Sequence, residues 1–503
     1  MNFGSGYDAI IIGSGAGGGT LGLRLAQSGL KVLIVEQGTF LRSSGTPAEP
    51  EAGAQAGFYA GSRDAAHWPV GGQTKYYGAA LYRLRESDFQ EVRHETGLSP
   101  AWPFSYWELE EYYQQAEELY RVHGAADGDP SEPKRSRPFP HPSIPHDPII
   151  ARLVDRLRAS GASVSAIPTA IDYGPGGKCV LCAKCDAFHC QVDAKMDAEI
   201  VALRPALATG RVQIAAETEC LRVLTNDAGT HVTGVALRRN AKDVVVSSNV
   251  VAVCAGTQQS PALLRRSRTA RHPDGLGNHA DSLGRYLAGH SVGMVFPLIR
   301  WSGMPPIFTK TFAMNAWHDG ADDWPFPLGV IQAAGQIPFW NEAARLIRPA
   351  AQFVGRHGLM CFYMTEALPT RNSRLVFDGD ALAGRVMPVQ SLGSFDRLRR
   401  NAREMFRRAG YVAVARRQAP VLWHQVGTAR MGTNPATSVV DSTCQVHGIS
   451  GLYVVDASVM PTAGAVNTTL TVIALALRAG DIIAGAEPRA HSRSAITTLP
   501  LAG

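Results

Sequence analysis

The first forty residues constrain the fold more than any other part of the chain. In YDAIIIGSGAGGGTLGLRLAQSGLKVLIVEQG an apolar run, Ala9 to Ile12, breaks into Gly13-Ser14-Gly15-Ala16-Gly17-Gly18. A helical pattern follows, then a second apolar run ending at Glu36. Each part has a physical task. Gly13 permits the tight strand-to-helix turn, Gly15 lets the backbone approach a pyrophosphate, and Gly18 lets helix and sheet pack closely. The helix N-terminus offers free N–H groups and the positive end of its dipole to that anion. Glu36, about 20 residues further on, is placed to hydrogen-bond a ribose hydroxyl. This order predicts a β-α-β dinucleotide-binding unit. The fingerprint alone does not choose between FAD and NAD(H); its position near the start of the chain points to FAD.

At 503 residues the chain can bury a large core and is expected to hold two or more structural domains. Its 51 glycines gather in motifs, where they mark backbone that approaches a ligand. The net charge of +6 is small for this length, and the densest basic patch, Arg265 to Arg271, is short and reads as a solvated helix end. Nucleic-acid binding is therefore not expected. No stretch approaches the roughly 20 apolar residues of a membrane span. MNFGSGYD lacks the charged-then-apolar order of a signal peptide, so a cytoplasmic location is the default expectation.

Further along, WPVGGQTKYYG, Trp68 to Gly78, is a second glycine loop with hydroxyl and amide donors. Ser105 to His123 is helical, opening with Ser105 and Glu108 in capping-box spacing. Residues from Val212 to Val253 alternate as strands, with a hairpin turn at Asn226 to Gly229. VVAVCAG, Val250 to Gly256, reads as a buried parallel strand returning to the nucleotide sheet, with a helix after it. The 290–420 region is mixed, antiparallel-looking and rich in aromatics such as Trp301, Phe312, Trp324 and Tyr363. LYVVD, Leu452 to Asp456, is another buried strand, and Asn467-Thr468-Thr469 caps an apolar helix running to about Ala484.

These blocks together resemble the glucose–methanol–choline (GMC) oxidoreductases, FAD enzymes that oxidise alcohols. The match lies in the N-terminal fingerprint, VGGQTKYYGAAL, AVCAGTQQSPALLRRS, GLGNHADSLGRYLAGH, HQVGTARMG and GLYVVDASVMPTAGAVNTTLTVIALALRAGDII, in that order. The resemblance implies an α/β protein with a discontinuous Rossmann-like FAD-binding domain and a substrate-binding domain built on a large antiparallel sheet. The expected division is 1–150, 195–289 and 421–487 for FAD binding, 151–194 as a cysteine-bearing connection, 290–420 for substrate, and a disordered tail at 488–503. It also implies that Gly71, Gly72 and Thr74 sit against flavin and pyrophosphate, with Asp456 near the ribityl and pyrophosphate region. Some members bond flavin covalently through a histidine in the VGG loop. That stretch here reads Gln-Thr-Lys-Tyr-Tyr, so non-covalent FAD is expected.

Alcohol oxidation needs a hydroxyl proton removed and a hydride delivered to flavin N5. Histidine suits the first task because its unperturbed pKa, roughly 6.5, leaves a neutral base at pH 7. His424 matches the family's base position, and Asn467 its second position, where His or Asn occurs. An Asn amide can hydrogen-bond the substrate oxygen and orient it. Reduced flavin carries negative charge near N1, which a helix N-terminus at Thr468 and Thr469 stabilises. His447 reads as structural and is the next candidate for the base. The substrate expected is a primary or secondary alcohol, sugar-like in the leading reading; a sterol-type oxidase and a non-redox flavin lyase are the alternatives. The electron acceptor, oxygen or a carrier, stays open.

One element is unusual. Four of the eight cysteines, Cys179, Cys182, Cys185 and Cys190, fall in CVLCAKCDAFHC. The spacing is close to a ferredoxin-type run, and some bacterial family members carry an iron–sulfur cluster near this point. A zinc site, disulfides and free thiols fit the same spacing.

Overall fold

The computed structural model describes residues 6–45, 68–336, 345–415 and 421–485. The expected disordered tail, 488–503, lies outside the described residues.

The chain opens with β1 (Ala9–Ile12), α1 (Ala16–Gln27) and β2 (Val32–Val35), the predicted β-α-β unit. Both strands are wholly buried apolar runs, as a strand covered on both faces must be. Next comes α2 (Tyr106–Leu119), whose N-cap Ser105 and Glu108 form the predicted capping box. The chain returns to the first sheet as β3 (Val212–Ala215) and β4 (Val251–Val253), and α3 (Gly256–Arg266) follows. Between those strands a three-stranded antiparallel sheet turns at Asn226, whose side-chain oxygen accepts from the amides of Thr230 and His231.

A second sheet takes over with β5 (Ala288–Pro297), β6 (Phe312–Met314), β7 (Val330–Ala333), β8 (Cys361–Leu368) and β9 (Val421–Val426). It is eight-stranded, and its pairings are antiparallel. Helix α4 (Leu392–Arg408) packs on it through Phe395, Leu398, Ala402 and Phe406. The chain then re-enters the first sheet as β10 (Leu452–Val454) and continues into α5 (Thr469–Ile483). The first sheet thus runs β10-β4-β1-β2-β3, all parallel. Two strands that flank one another, β1 and β4, are separated by more than two hundred residues of chain.

Helix α5 is apolar around most of its circumference because it is enclosed on most sides, against α1 and α2 among others. Its one buried acid, Asp481, is held by the Arg24 guanidinium and by the Tyr112 hydroxyl. These contacts fix the height of its N-terminus, which is where the chemistry-bearing residues lie. Among the described residues no helix is long and apolar enough to cross a membrane.

Candidate active site

The glycine turn between β1 and α1 is built by close approach. A Cβ on Gly18 would meet the Gly13 carbonyl oxygen at 1.9 Å, and one on Gly17 the Val455 carbonyl oxygen at 2.0 Å. Gly15 differs: the nearest atom to its would-be Cβ is Gly72 Cα, 3.9 Å away. Open space therefore lies over the first turn of α1, whose N-cap Gly15 makes no side-chain cap. The second glycine loop closes on this point. Gly71 N–H donates to Ser14 Oγ at 3.0 Å, Thr74 Oγ1 donates to the Gly71 carbonyl at 2.6 Å, and the Ala198 amide donates to Thr74 Oγ1 at 3.0 Å. Thr74 thus pins the loop's conformation.

Glu36 ends β2 as expected and is nearly buried. Its Oε2 accepts from the Ser14 amide and hydroxyl, at 3.0 and 2.7 Å, and its Oε1 from the Gly38 amide at 3.0 Å. A carboxylate has about four acceptor sites, so one remains for a ribose hydroxyl. Asp456 is different. Its carboxylate accepts from the Gly256 amide at 2.9 Å, the Ser458 amide at 2.8 Å, and the Ser260 and Ser458 hydroxyls. Protein donors fill it, and it braces the start of α3 against the end of β10. These features fit a dinucleotide: an open cradle over Gly15, uncapped N-termini on α1 and α5, and a free acceptor on Glu36.

At the other end of the site, β5 and β9 pair with a register shift between Ala288 and His290. Gly289 stands opposite His424 and Gln425, so β9 carries an extra residue there, a β-bulge. His424 adopts a left-handed backbone, φ 48°, a conformation that costs a non-glycine residue on the order of 1 kcal/mol or more. Only glycine fits opposite it, because a Cβ at Gly289 would meet the Trp423 carbonyl oxygen at 2.5 Å. The bulge turns the His424 ring toward the start of α5. There Asn467 Nδ2 lies 3.3 Å from His424 Nε2, and Asn467 Oδ1 is buried without a partner. Thr468 occupies the N-cap position of α5 without a side-chain cap hydrogen bond, and Thr469 is the helix's first residue.

Behind His424 stands a residue that no sequence motif marked as a site. His290 Nδ1 is 2.8 Å from His424 Nδ1, and His290 Nε2 is 3.0 Å from the Gly464 carbonyl oxygen. His290 closes the block GLGNHADSLGRYLAGH, but its partner lies 134 positions away. Burial, then the His290 ring, then the Lys310 ammonium hold the His424 pKa well below the ordinary histidine value. His424 is a neutral imidazole at pH 7. His447 is engaged elsewhere, with Ser438 Oγ 2.9 Å from its Nε2.

The four clustered cysteines need a correction. Among the described residues no group of three or more His, Cys, Asp or Glu side chains is arranged to hold a metal ion, and all four are free thiols. Neither the iron–sulfur nor the zinc expectation is supported. The loop is organised instead by a buried lysine, Lys195, whose ammonium donates to the carbonyls of Tyr77, Cys185 and Phe188 at 2.9, 3.0 and 2.6 Å. Burial pushes the Cys179 thiol up to about 11 and Cys185 well above its ordinary value. Of the readings that the spacing left open, the free thiols are the one found. The loop does lie against the second glycine loop, the Ala187 amide donating to the Tyr76 carbonyl at 2.8 Å.

Known proteins align with this architecture. The GMC oxidoreductase family models match residues 7–292 and 371–476. The 6'''-hydroxyparomomycin C oxidase of Streptomyces lividus is 32% identical over 95% of this chain and 91% of its own length. The 2-methyl-1,2-propanediol dehydrogenase of Mycolicibacterium austroafricanum is 27% identical, with 95% of each chain covered. Among solved structures, pyridoxine 4-oxidase from "Mesorbium loti" superposes with a TM-score of 0.60 at 18% identity, covering 95% of this chain and 99% of that one. The nucleotide cradle, the histidine on its bulge and the span of these matches lead to one assignment: the chain belongs to the GMC oxidoreductases, FAD-dependent enzymes that oxidise alcohols.

Proposed function

We propose that this enzyme oxidises a hydroxyl group of a sugar-like natural product, with His424 as the base and Asn467 as the orienting group. The observation that carries the reading is the 3.3 Å approach of Asn467 Nδ2 to His424 Nε2 at the head of α5. A substrate hydroxyl that displaces this long contact donates its proton to Nε2 and accepts from the amide. The unpaired Asn467 Oδ1 offers a second polar contact. Gly15, Gly71 and Gly72, with Glu36 at the ribose, would hold FAD, which would supply a two-electron acceptor for the hydride leaving the carbinol carbon. The start of α5, Thr468 and Thr469, favours the negative charge that this acceptor gains.

The sugar-like substrate is suggested by relatives named for amino-sugar antibiotics. Besides the Streptomyces lividus protein, the paromamine 6'-oxidase of Streptomyces fradiae is 31% identical over 95% of this chain. Non-covalent FAD is proposed because the loop from Gly72 to Tyr77 contains no histidine. The test is anaerobic mixing of the holoenzyme with a panel of aminoglycosides, simple sugars, short diols and a sterol. Bleaching of the flavin by the aminoglycoside or sugar arm alone is the expected result; bleaching by the sterol alone overturns the substrate class.

A further inference from the structure

We infer that His290 is a positioning residue that sets the tautomer of His424, keeping the Nε2 lone pair aimed at the substrate hydroxyl. The inference rests on the proposed role of His424 as base and deepens it.

A carbonyl oxygen only accepts hydrogen bonds. The Gly464 carbonyl lies 3.0 Å from His290 Nε2, so that nitrogen carries the hydrogen. In neutral His290 the lone pair then sits on Nδ1. His424 Nδ1, 2.8 Å away, must in turn be the donor, which leaves the His424 lone pair on Nε2. That nitrogen faces the Asn467 amide. One backbone carbonyl therefore fixes two rings in series, and the second presents its basic nitrogen to the site.

The same chain works during the reaction. The substrate O–H bond breaks and its proton binds His424 Nε2, while the hydride leaves carbon for FAD. The imidazolium so formed still donates through Nδ1 to the His290 lone pair, which disperses its charge. The arrangement fails if His290 is itself protonated, because His290 Nδ1–H would then donate to His424 Nδ1 and turn His424 into the wrong tautomer. The charged groups that face this pair are Lys310 toward His424 and Glu366 and Asp88 toward His290. Burial leads the downward shift of the His290 pKa, which keeps the pair in its working form at neutral pH.

The backbone is shaped to hold the two rings together. Their centroids are 5.0 Å apart at 75°, edge to face, a geometry that points one nitrogen at the other. The bulge at His424 and the obligatory glycine at Gly289 lie between them in the same strand pair.

The test uses the holoenzyme of His290→Leu, His290→Asn, His424→Ala and the His290→Leu/His424→Ala double variant. His290→Leu should slow flavin reduction at least about tenfold, short of the 100- to 10,000-fold typical of losing the base itself, with KM little changed. His290→Asn, whose amide oxygen reaches the place of Nδ1, should recover part of that loss. The double variant should be no slower than His424→Ala, since His290 acts only through His424. Nitrogen-15 NMR of histidine-labelled holoenzyme gives a second readout independent of turnover. It should show one His424 tautomer, with an unprotonated Nε2, in wild type and His290→Asn, and mixed tautomers in His290→Leu. A slow His424→Ala beside a His290→Leu enzyme of wild-type rate and tautomer overturns the positioning role alone. Additive losses in the double variant overturn it as well. A His424→Ala enzyme of near wild-type rate overturns the base assignment on which it rests.

Discussion

His318 and His424 show how far one residue type can be pushed in opposite directions within a single fold. Burial lowers both, but His318 faces the Asp88 carboxylate at 3.1 Å, which raises its pKa above the ordinary value. Asp88 is lowered in turn, burial being outweighed by His318 and by the Arg85 amide and guanidinium. The sign of the pH effect follows. A raised His pKa gives stabilisation that is complete below the unfolded value, about 6.5, and is lost as pH rises through the folded one. A lowered Asp pKa gives stabilisation that is present above about 3.9 and is lost as pH falls through the folded value. The pair is therefore most stabilising between roughly pH 4 and 6.5. Replacing His318 with Gln should cost about 1.5–3 kcal/mol in that window. Urea denaturation of both proteins across pH should show the difference shrinking toward pH 9; a constant difference would show that the pair is not ionised. None of this was legible in the sequence, where Asp88 and His318 lie 230 positions apart. His424 and Asn467 were legible because each sits in a motif; His290 was not, because its meaning depends on a ring brought to it by a strand pairing.

At the scale of elements, the first turn of α1 offers a paired test. Gly17→Ala drives a Cβ to 2.0 Å from the Val455 carbonyl oxygen, so β10 or α1 must shift, at a cost of about 1–3 kcal/mol or more. Gly15→Ala meets nothing within 3.9 Å and leaves the fold alone, while placing a methyl in the open cradle. Thermal melting of the apoproteins should show Gly17→Ala destabilised and Gly15→Ala near wild type. FAD titration should show Gly15→Ala weakened at least about tenfold, 1.4 kcal/mol. Wild-type FAD affinity in Gly15→Ala would place the pyrophosphate elsewhere. Buried parallel strands such as β1, β2, β4 and β10 were readable because they are unbroken apolar runs bounded by glycine or acid. Helix α4, inside the antiparallel-looking region, was not: its apolar residues Phe395, Leu398, Ala402 and Phe406 are diluted by arginines, and the aromatics on either side favoured strands. The cysteine run left iron–sulfur, zinc, disulfides and free thiols open for a related reason. Spacing constrains how far apart thiols stand along the chain, whereas Lys195 and burial decide how they stand in space.

The molecule as a whole gathers the proposed cofactor site from four stretches: residues 9–38, 71–74, 254–256 and 455–469. FAD should therefore bind the folded state and not the unfolded chain. At a free concentration 100 times its Kd it should add about 2.7 kcal/mol of stability, so the melting temperature of apoprotein should climb steadily with added FAD. Acid denaturation should then release all the flavin into the supernatant. Yellow colour retained on the precipitated chain would contradict the non-covalent assignment. The proposed role of His424, neutral and turned to the head of α5 by a strained bulge, is to take the substrate proton. Its most direct test is anaerobic stopped-flow reduction of the flavin in His424→Ala, with FAD content measured on the same sample. Bound FAD as in wild type and a reduction rate lower by roughly 100- to 10,000-fold are expected; full occupancy with a near wild-type rate would show that another group takes the proton.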